Sequence, residues 1–224
     1  MTSIFVTTAH ALAPYLGDFF AGCKKFELSP TFVDFGPSWA RDAMSLRTFF
    51  WYCRQYRDLR PEDPRCKHHS NYRWQVERFA WKVYAITSDN IPDADWRIWL
   101  DADTIITAKP DLSFLDPKAD VVYLGRKGWH HSETGFVAYN MRRGGPNALV
   151  RMRHMYETFE VFEQSEWHDA WIFDICRQGL NCQNISSAAP ELDAWSHSPL
   201  AAWSRHLKGD EKFDRSPGDG ATPA

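Results

Sequence analysis

Short apolar runs that stop abruptly at polar residues alternate with stretches of helical spacing through the first half of this 224-residue chain, and nothing else in it limits the fold as strongly. Ile4-Phe5-Val6 is followed at once by Thr7, Thr8 and His10, and Thr31-Phe32-Val33-Asp34-Phe35 repeats the pattern before Gly36-Pro37 stops it. Helical spacing then runs from about Trp39 to Arg57 and from Arg73 to Ile86, where Val76, Phe79, Val83 and Ile86 recur at intervals of three and four. Trp96-Arg97-Ile98-Trp99-Leu100, Val121-Val122-Tyr123-Leu124 and Gly135-Phe136-Val137-Ala138-Tyr139 read as further strands, with helices from about Asn147 to Phe162 and Asp169 to Arg177. Strands separated by helices pack as a mainly parallel, twisted sheet covered by helices, an α/β fold of Rossmann-like type. Ligands of such sheets bind beyond the carboxyl ends of the strands. The length suits one core, assigned to residues 1–215, with the Gly-, Pro-, Ala- and Asp-rich tail from 216 to 224 expected to be disordered.

Charge excludes little here. A formal net charge of -3 and a pI near 6.3 give no global attraction for a polyanion. Between Arg47 and Lys82, however, nine Lys/Arg face four Asp/Glu among nine aromatic residues. Such a mixture suits either a nucleic acid or a solvated helical face over an aromatic core. Eleven Trp, many for this length, belong mainly to a core, with some available to line a sugar- or base-stacking site. Five cysteines without CxxC spacing suggest neither a disulfide framework nor a zinc site, and a reducing cytoplasm is the expected compartment. No apolar run approaches the ~18 residues of a membrane span.

The chemistry concentrates at two places. Trp96 to Leu100 ends in Asp101-Ala102-Asp103, and two carboxylates one residue apart at a strand end can both reach one hard divalent cation. Near the other end lies His206-Leu207-Lys208-Gly209-Asp210-Glu211-Lys212. There a His can supply a third ligand, a Gly lets backbone approach a phosphate, and a Lys pairs with phosphate charge.

With Glu133-Thr134-Gly135-Phe136-Val137-Ala138-Tyr139-Asn140, these blocks resemble the GT-A-fold glycosyltransferases, especially the retaining family-8-like branch. The resemblance implies a nucleotide-sugar donor, usually a UDP-sugar, and Mn2+ or Mg2+ held by Asp101, Asp103 and His206. By the same analogy Thr7 and Thr8 touch the nucleotide, Arg78 and Lys82 face the donor phosphates or sugar, and Gly209 and Lys212 hold the diphosphate. Where that family often carries Asp-Gln, this chain has Asp169-Ala170, so Asp169 becomes the candidate beside the sugar and Glu133 a second catalytic candidate. Either acid is equally readable as a capping or salt-bridging group. The acceptor is expected to be a glycan or protein hydroxyl, or a hydroxymethylated base in DNA if the basic aromatic stretch binds nucleic acid.

Two other classes compete with this reading. Haloacid-dehalogenase-type phosphatases also place Asp-x-Asp after an apolar strand, and Gly209-Asp210-Glu211-Lys212-Phe213-Asp214 matches their late acidic element. Their first motif sits on the first strand, and Trp203 to Lys208 does not read as the buried strand that should precede the late one. A non-catalytic sugar-nucleotide-binding or glycan-binding domain is the third class, kept open by Ala170.

Overall fold

The computed structural model describes residues 2–9, 15–34, 49, 51–56, 72–89, 91–126, 131–186 and 193–208. Eight strands and four helices carry names here: β1 (Ser3–Ala9), α1 (Leu16–Lys25), β2 (Thr31–Asp34), α2 (Val76–Ile86), β3 (Trp96–Leu100), β4 (Thr104–Ile106), β5 (Val121–Leu124), β6 (Glu133–Asn140), α3 (Gly145–Glu157), α4 (Asp169–Cys176), β7 (Cys182–Asn184) and β8 (Ser204–His206). Residues 51–56 are also helical.

Six strands form one sheet in the order β2-β1-β3-β6-β5-β7. β1 lies parallel to β2 and β3, β7 lies parallel to β5, and β6 runs antiparallel to both β3 and β5. Five strands therefore point one way and β6 alone opposes them, which makes the sheet mixed though mainly parallel. The reversal has a local cause. Residues 125–132 between β5 and β6 are fewer than the dozen or so that a parallel crossover needs.

Alternation along the strands sends apolar side chains to both faces. Val6, Trp99, Val137 and Tyr139 join the core built with α2, α3 and α4. Phe5, Ile98, Leu100, Phe136 and Ala138 join the other, built with Phe19 and Cys23 of α1 and with Trp195, Leu200 and Trp203. A sheet buried on both faces explains why β3 is apolar at every position but Arg97.

Several expectations change. The helix expected to Phe162 ends at Glu157, because Phe159 turns left-handed (φ 64°) before a short 3-10 helix at Glu160–Glu163. That turn stacks the Phe159 ring on Tyr52 at 3.9 Å between centroids, so packing overrides helical propensity. The stretch from Trp203 to Lys208 does contain a strand, β8, but it pairs with β4 in a separate two-stranded ladder. Periodicity missed it because three residues are too few to show a period.

Part of the basic aromatic stretch belongs to the core. Phe49 and Tyr56 are buried, Tyr56 stacks on Phe162 at 4.5 Å and meets Trp167 edge-on, while Trp51 is 60% exposed. Arg47, Thr48, Phe50 and residues 57–71 of that stretch lie outside the described residues, as do residues 39–46 of the helix expected from Trp39 to Arg57, Cys66 and the tail from 216. Among the described residues, Cys23, Cys176 and Cys182 are in no disulfide. No described helix is long and apolar enough to cross a membrane.

Candidate functional site

β3 delivers Asp101 to the carboxyl edge of the sheet, where its N–H donates to the Gly135 carbonyl of β6 at 2.8 Å. Thr104 N–H then donates back to the Asp101 carbonyl at 3.1 Å, so the chain turns tightly and both acids project from one bend. The ladder with β8 supplies the rest. It sets Thr104 opposite His206, and Leu207 N–H closes it on the Asp103 carbonyl at 3.0 Å. His206 Nε2 therefore lies 3.0 Å from Asp103 Oδ1 and 3.7 Å from Asp101 Oδ2.

One ligand atom from each of these three residues lies within 4.8 Å of the other two. Two carboxylate oxygens with one imidazole nitrogen suit a hard divalent cation such as Mn2+ or Mg2+. Electrostatics agree with that fit. Burial raises the Asp101 carboxyl above its ordinary range, and Asp103 and Asp169 push the same way against the opposing Lys82 and His206. Burial disfavours the charged His206 ring, but the hydrogen bond and charge of Asp103, with Glu133 and Asp101, outweigh it and raise its pKa. Carboxyl groups crowded at one edge in this way carry a repulsion that a bound cation would relieve.

The ring is also held from behind. His206 packs on Trp195 at 4.9 Å between centroids, and its Cε1 would lie 2.9 Å from a Cβ built on Gly135. Only Gly leaves that space, which gives Gly135 a reason that its strand context conceals.

A second set of charges surrounds Lys82 on α2. Its ammonium lies 2.8 Å from Asp169 Oδ2 and 3.2 Å from Asp101 Oδ1, donates to the Thr134 carbonyl, and sits 4.9 Å from the centre of the Trp99 ring. Thr134 Oγ1 donates to Asp169 at 2.7 Å, and Trp99 Nε1 donates to Asp101 at 2.5 Å. Lys82 thus ties β3, β6 and α4 together and spends its donors inside the protein. Burial lowers its pKa, but the two carboxylates outweigh that and raise it; burial raises Asp169, and Lys82 more than reverses it.

Glu133 belongs to a third group. The register of β6 against β5 jumps, so that Val137 faces Tyr123 while Glu133 faces Leu124. Residues 134–136 bulge out of the ladder, and the bulge aims Thr134 at Asp169 and Glu133 at Arg126 and Lys208. Burial pushes the Glu133 carboxyl up, yet His206, Arg126 and Lys208 hold it at about 2. Lys208 also reaches Asp193 at 3.6 Å.

The site residues read from sequence separate accordingly. Asp101, Asp103 and His206 come together, with Lys82, Asp169 and Glu133 close around them. Arg78 lies one turn before Lys82, about 6 Å back along the axis; it is exposed and contacts Gln75 and Phe79. Thr7 is fully buried on β1, and its hydroxyl has no hydrogen-bond partner among the described residues. The backbone of Thr8 pairs with Val33 in the sheet, and its side chain lies outside the described residues, as do Gly209 and Lys212. Lys208, Thr134 and Trp195 escape the sequence reading, because nothing local connects them to partners far along the chain, and Arg126 escapes it because only the pairing of β5 with β6 turns it toward Glu133.

No family model matches this chain, and no curated protein matches it. Solved structures similar to it include three glycosyltransferases. A glycosyltransferase involved in glycosylation of the major capsid of PBCV-1 is 13% identical over 94% of this chain and 96% of that one, with a TM-score of 0.46. The glycosyltransferase GlyE of Streptococcus pneumoniae TIGR4 is 12% identical with a TM-score of 0.49; the match covers 82% of this chain and 44% of GlyE. The galactosyltransferase LgtC, in complex with donor and acceptor sugar analogues, is 15% identical over 88% of this chain and 79% of its own, with a TM-score of 0.44.

Proposed function

We propose that this protein is a metal-dependent glycosyltransferase of GT-A type, which moves a hexose from a nucleotide-sugar to an acceptor hydroxyl. The observation that carries the proposal is the convergence of Asp101, Asp103 and His206 at the carboxyl edge of the sheet. Mn2+ or Mg2+ bound there supplies Lewis-acid stabilisation of the charge that grows on a departing nucleoside diphosphate. The motif resemblance adds a UDP-sugar as donor and retention of configuration.

The chain's own residues have distinct tasks in this reading. Thr7 and Thr8 lie on the strand beside β3 and receive the nucleotide, and the Thr7 hydroxyl has no hydrogen-bond partner among the described residues. Gly209 and Lys212 hold the diphosphate, with Arg78 at the outer rim. Lys82 keeps Asp101 and Asp169 at fixed separation, and Asp169 orients donor hydroxyls. Glu133 is ionised and braced by Arg126 and Lys208, so its oxygens are available as a fixed charge and not as a proton donor. Glycan or protein hydroxyls suit this reading as acceptors. A hydroxymethylated base finds less support, since the rings of Phe49 and Tyr56 that would stack on nucleic acid pack into the core.

The test is a panel of nucleotide-sugars with and without manganese, followed by release of nucleoside diphosphate. Slow, manganese-dependent release from one donor is expected. Phosphate release from a phosphomonoester would instead indicate the phosphatase class, which the placement of β8 outside the main sheet disfavours. Neither activity would leave a binding domain and end the proposal.

Gly135→Ala provides a second, subtler check. The added methyl meets His206 Cε1 at 2.9 Å and Trp195 at 3.2 Å, so the imidazole must swing away from the two acids. Manganese affinity, read by calorimetric titration, should fall about tenfold to a hundredfold. An unchanged affinity would remove His206 from the ligand set.

A further inference from the structure

Among the described residues, a second group of possible metal ligands converges away from Asp101: His131, Glu166 and His168, with one nitrogen or oxygen of each within 4.8 Å of the others. The two histidines are only 7% and 2% exposed. Their spacing resembles a zinc site, but the hydrogen bonds of His168 oppose that reading. His168 is the N-cap of α4, and its Nδ1 accepts from the Trp171 N–H at 3.3 Å. A nitrogen that accepts from a backbone N–H carries no proton, so the neutral ring carries its proton on Nε2. That Nε2 lies 2.7 Å from Glu166 Oε2, and Arg73 holds the other carboxylate oxygen at 3.3 Å. A metal on Nε2 would displace the proton and leave Nδ1 protonated against the Trp171 N–H, the reverse of the arrangement present.

The residue that follows the cap is Asp169. Its carboxylate meets Lys82 at 2.8 Å and Thr134 Oγ1 at 2.7 Å, and both contacts need the first turn of α4 to stay formed. α4 has only eight residues, so a frayed first turn would release a large part of it. His168 is also clamped between rings, with His131 edge-on at 4.6 Å and Phe79 of α2 at 6.0 Å. The helix that carries Lys82 therefore also fixes the cap of the helix that carries Asp169.

We infer that Glu166 and His168 form a positioning dyad for Asp169: Glu166 selects the Nε2–H tautomer, and the bare Nδ1 caps α4 and aims its first carboxylate at Lys82. Its effect on turnover rests on the reading that Asp169 orients the donor sugar, whereas the dyad itself can be observed without any activity.

Two measurements on the full chain test it. A long-range 1H–15N spectrum of the histidine rings should show one ring with a protonated Nε2 and an unprotonated Nδ1, lost in His168→Asn. A His168 ring protonated on Nδ1, or one-to-one uptake of added zinc that shifts this ring, would overturn the inference. If the wild type turns over no nucleotide-sugar, this spectrum still decides. In kinetics, His168→Ala should lower kcat by about tenfold or more with little change in KM for the donor. His168→Asn, whose Oδ1 occupies the place of Nδ1 and can cap the helix, should recover most of that loss. If both variants lower the melting temperature while kcat stays unchanged, His168 is merely structural and the inference fails.

Discussion

Replacing Asp103 with Ala removes manganese-dependent release of nucleoside diphosphate, by about a thousandfold or more, while the circular dichroism spectrum remains that of the wild type. The size follows from what the cation supplies. Several kcal/mol of stabilisation of the leaving diphosphate correspond to three or more powers of ten in rate. Asp103 bridges His206 and the bend after β3, so it is the ligand whose loss most disturbs the set. The fold survives because the bend and the ladder use the backbone of Asp103, and Ala supplies the same carbonyl to Leu207. One negative charge fewer beside Asp101 also relieves a buried repulsion. Calorimetric titration of manganese should show the affinity lost with the activity. Full activity in the variant would sink the metal reading. In the wild type, the raised pKa of Asp101 means that protons compete with a cation from a higher pH than at an ordinary carboxylate, so manganese binding should weaken as the pH falls.

Lys82→Met has the largest expected effect on stability. Methionine fills much the same volume but leaves Asp169, buried and ionised, facing Asp101 without a cation between them. Removing one partner from such a group costs about 3–5 kcal/mol, whatever the intact group contributes, because the remaining charge stays buried. In a domain of this size that corresponds to a fall in melting temperature of roughly 10 °C. The exposure of Asp101, at 30%, places the value at the lower end, since water can reach one carboxylate. The informative comparison is Lys82→Met with Asp169→Asn. The amide removes the stranded charge and keeps the acceptor for Thr134, so the double variant should recover a substantial part of the loss. If the two substitutions simply add, the charges are not coupled and the account of Lys82 as the tie between β3 and α4 is wrong.

Lys82 and Arg78 also mark a limit of reading a helix from its spacing. Positions four apart share a face, and the family resemblance gives both to the donor. Spacing does not give depth, however: Lys82 reaches over Trp99 to the end of β3, while Arg78 stays in solvent one turn away. The same limit hid His168, whose capping role depends on a tautomer set by Glu166, and Glu133, whose direction depends on a bulge in β6. The aromatic stretch before α2 offered two readings, surface or core. Only the rings of Phe159, Phe162 and Trp167, far along the chain, settle Tyr56 into the core and Tyr52 against it.

The sequence by itself determined the strand from Trp96 to Leu100, its abrupt end at Asp101, and the alternation that makes the sheet mainly parallel, because hydrophobic period and polar stops are local properties of the chain. Tertiary structure decided what those polar stops become. The reversed β6 carries Gly135 to Asp101, the β4–β8 ladder carries His206 to Asp103 across 103 positions, and Lys82 joins two acids that no spacing connects. Convergence of charge at one edge follows from pairing between distant segments, and a linear pattern contains no distance between them.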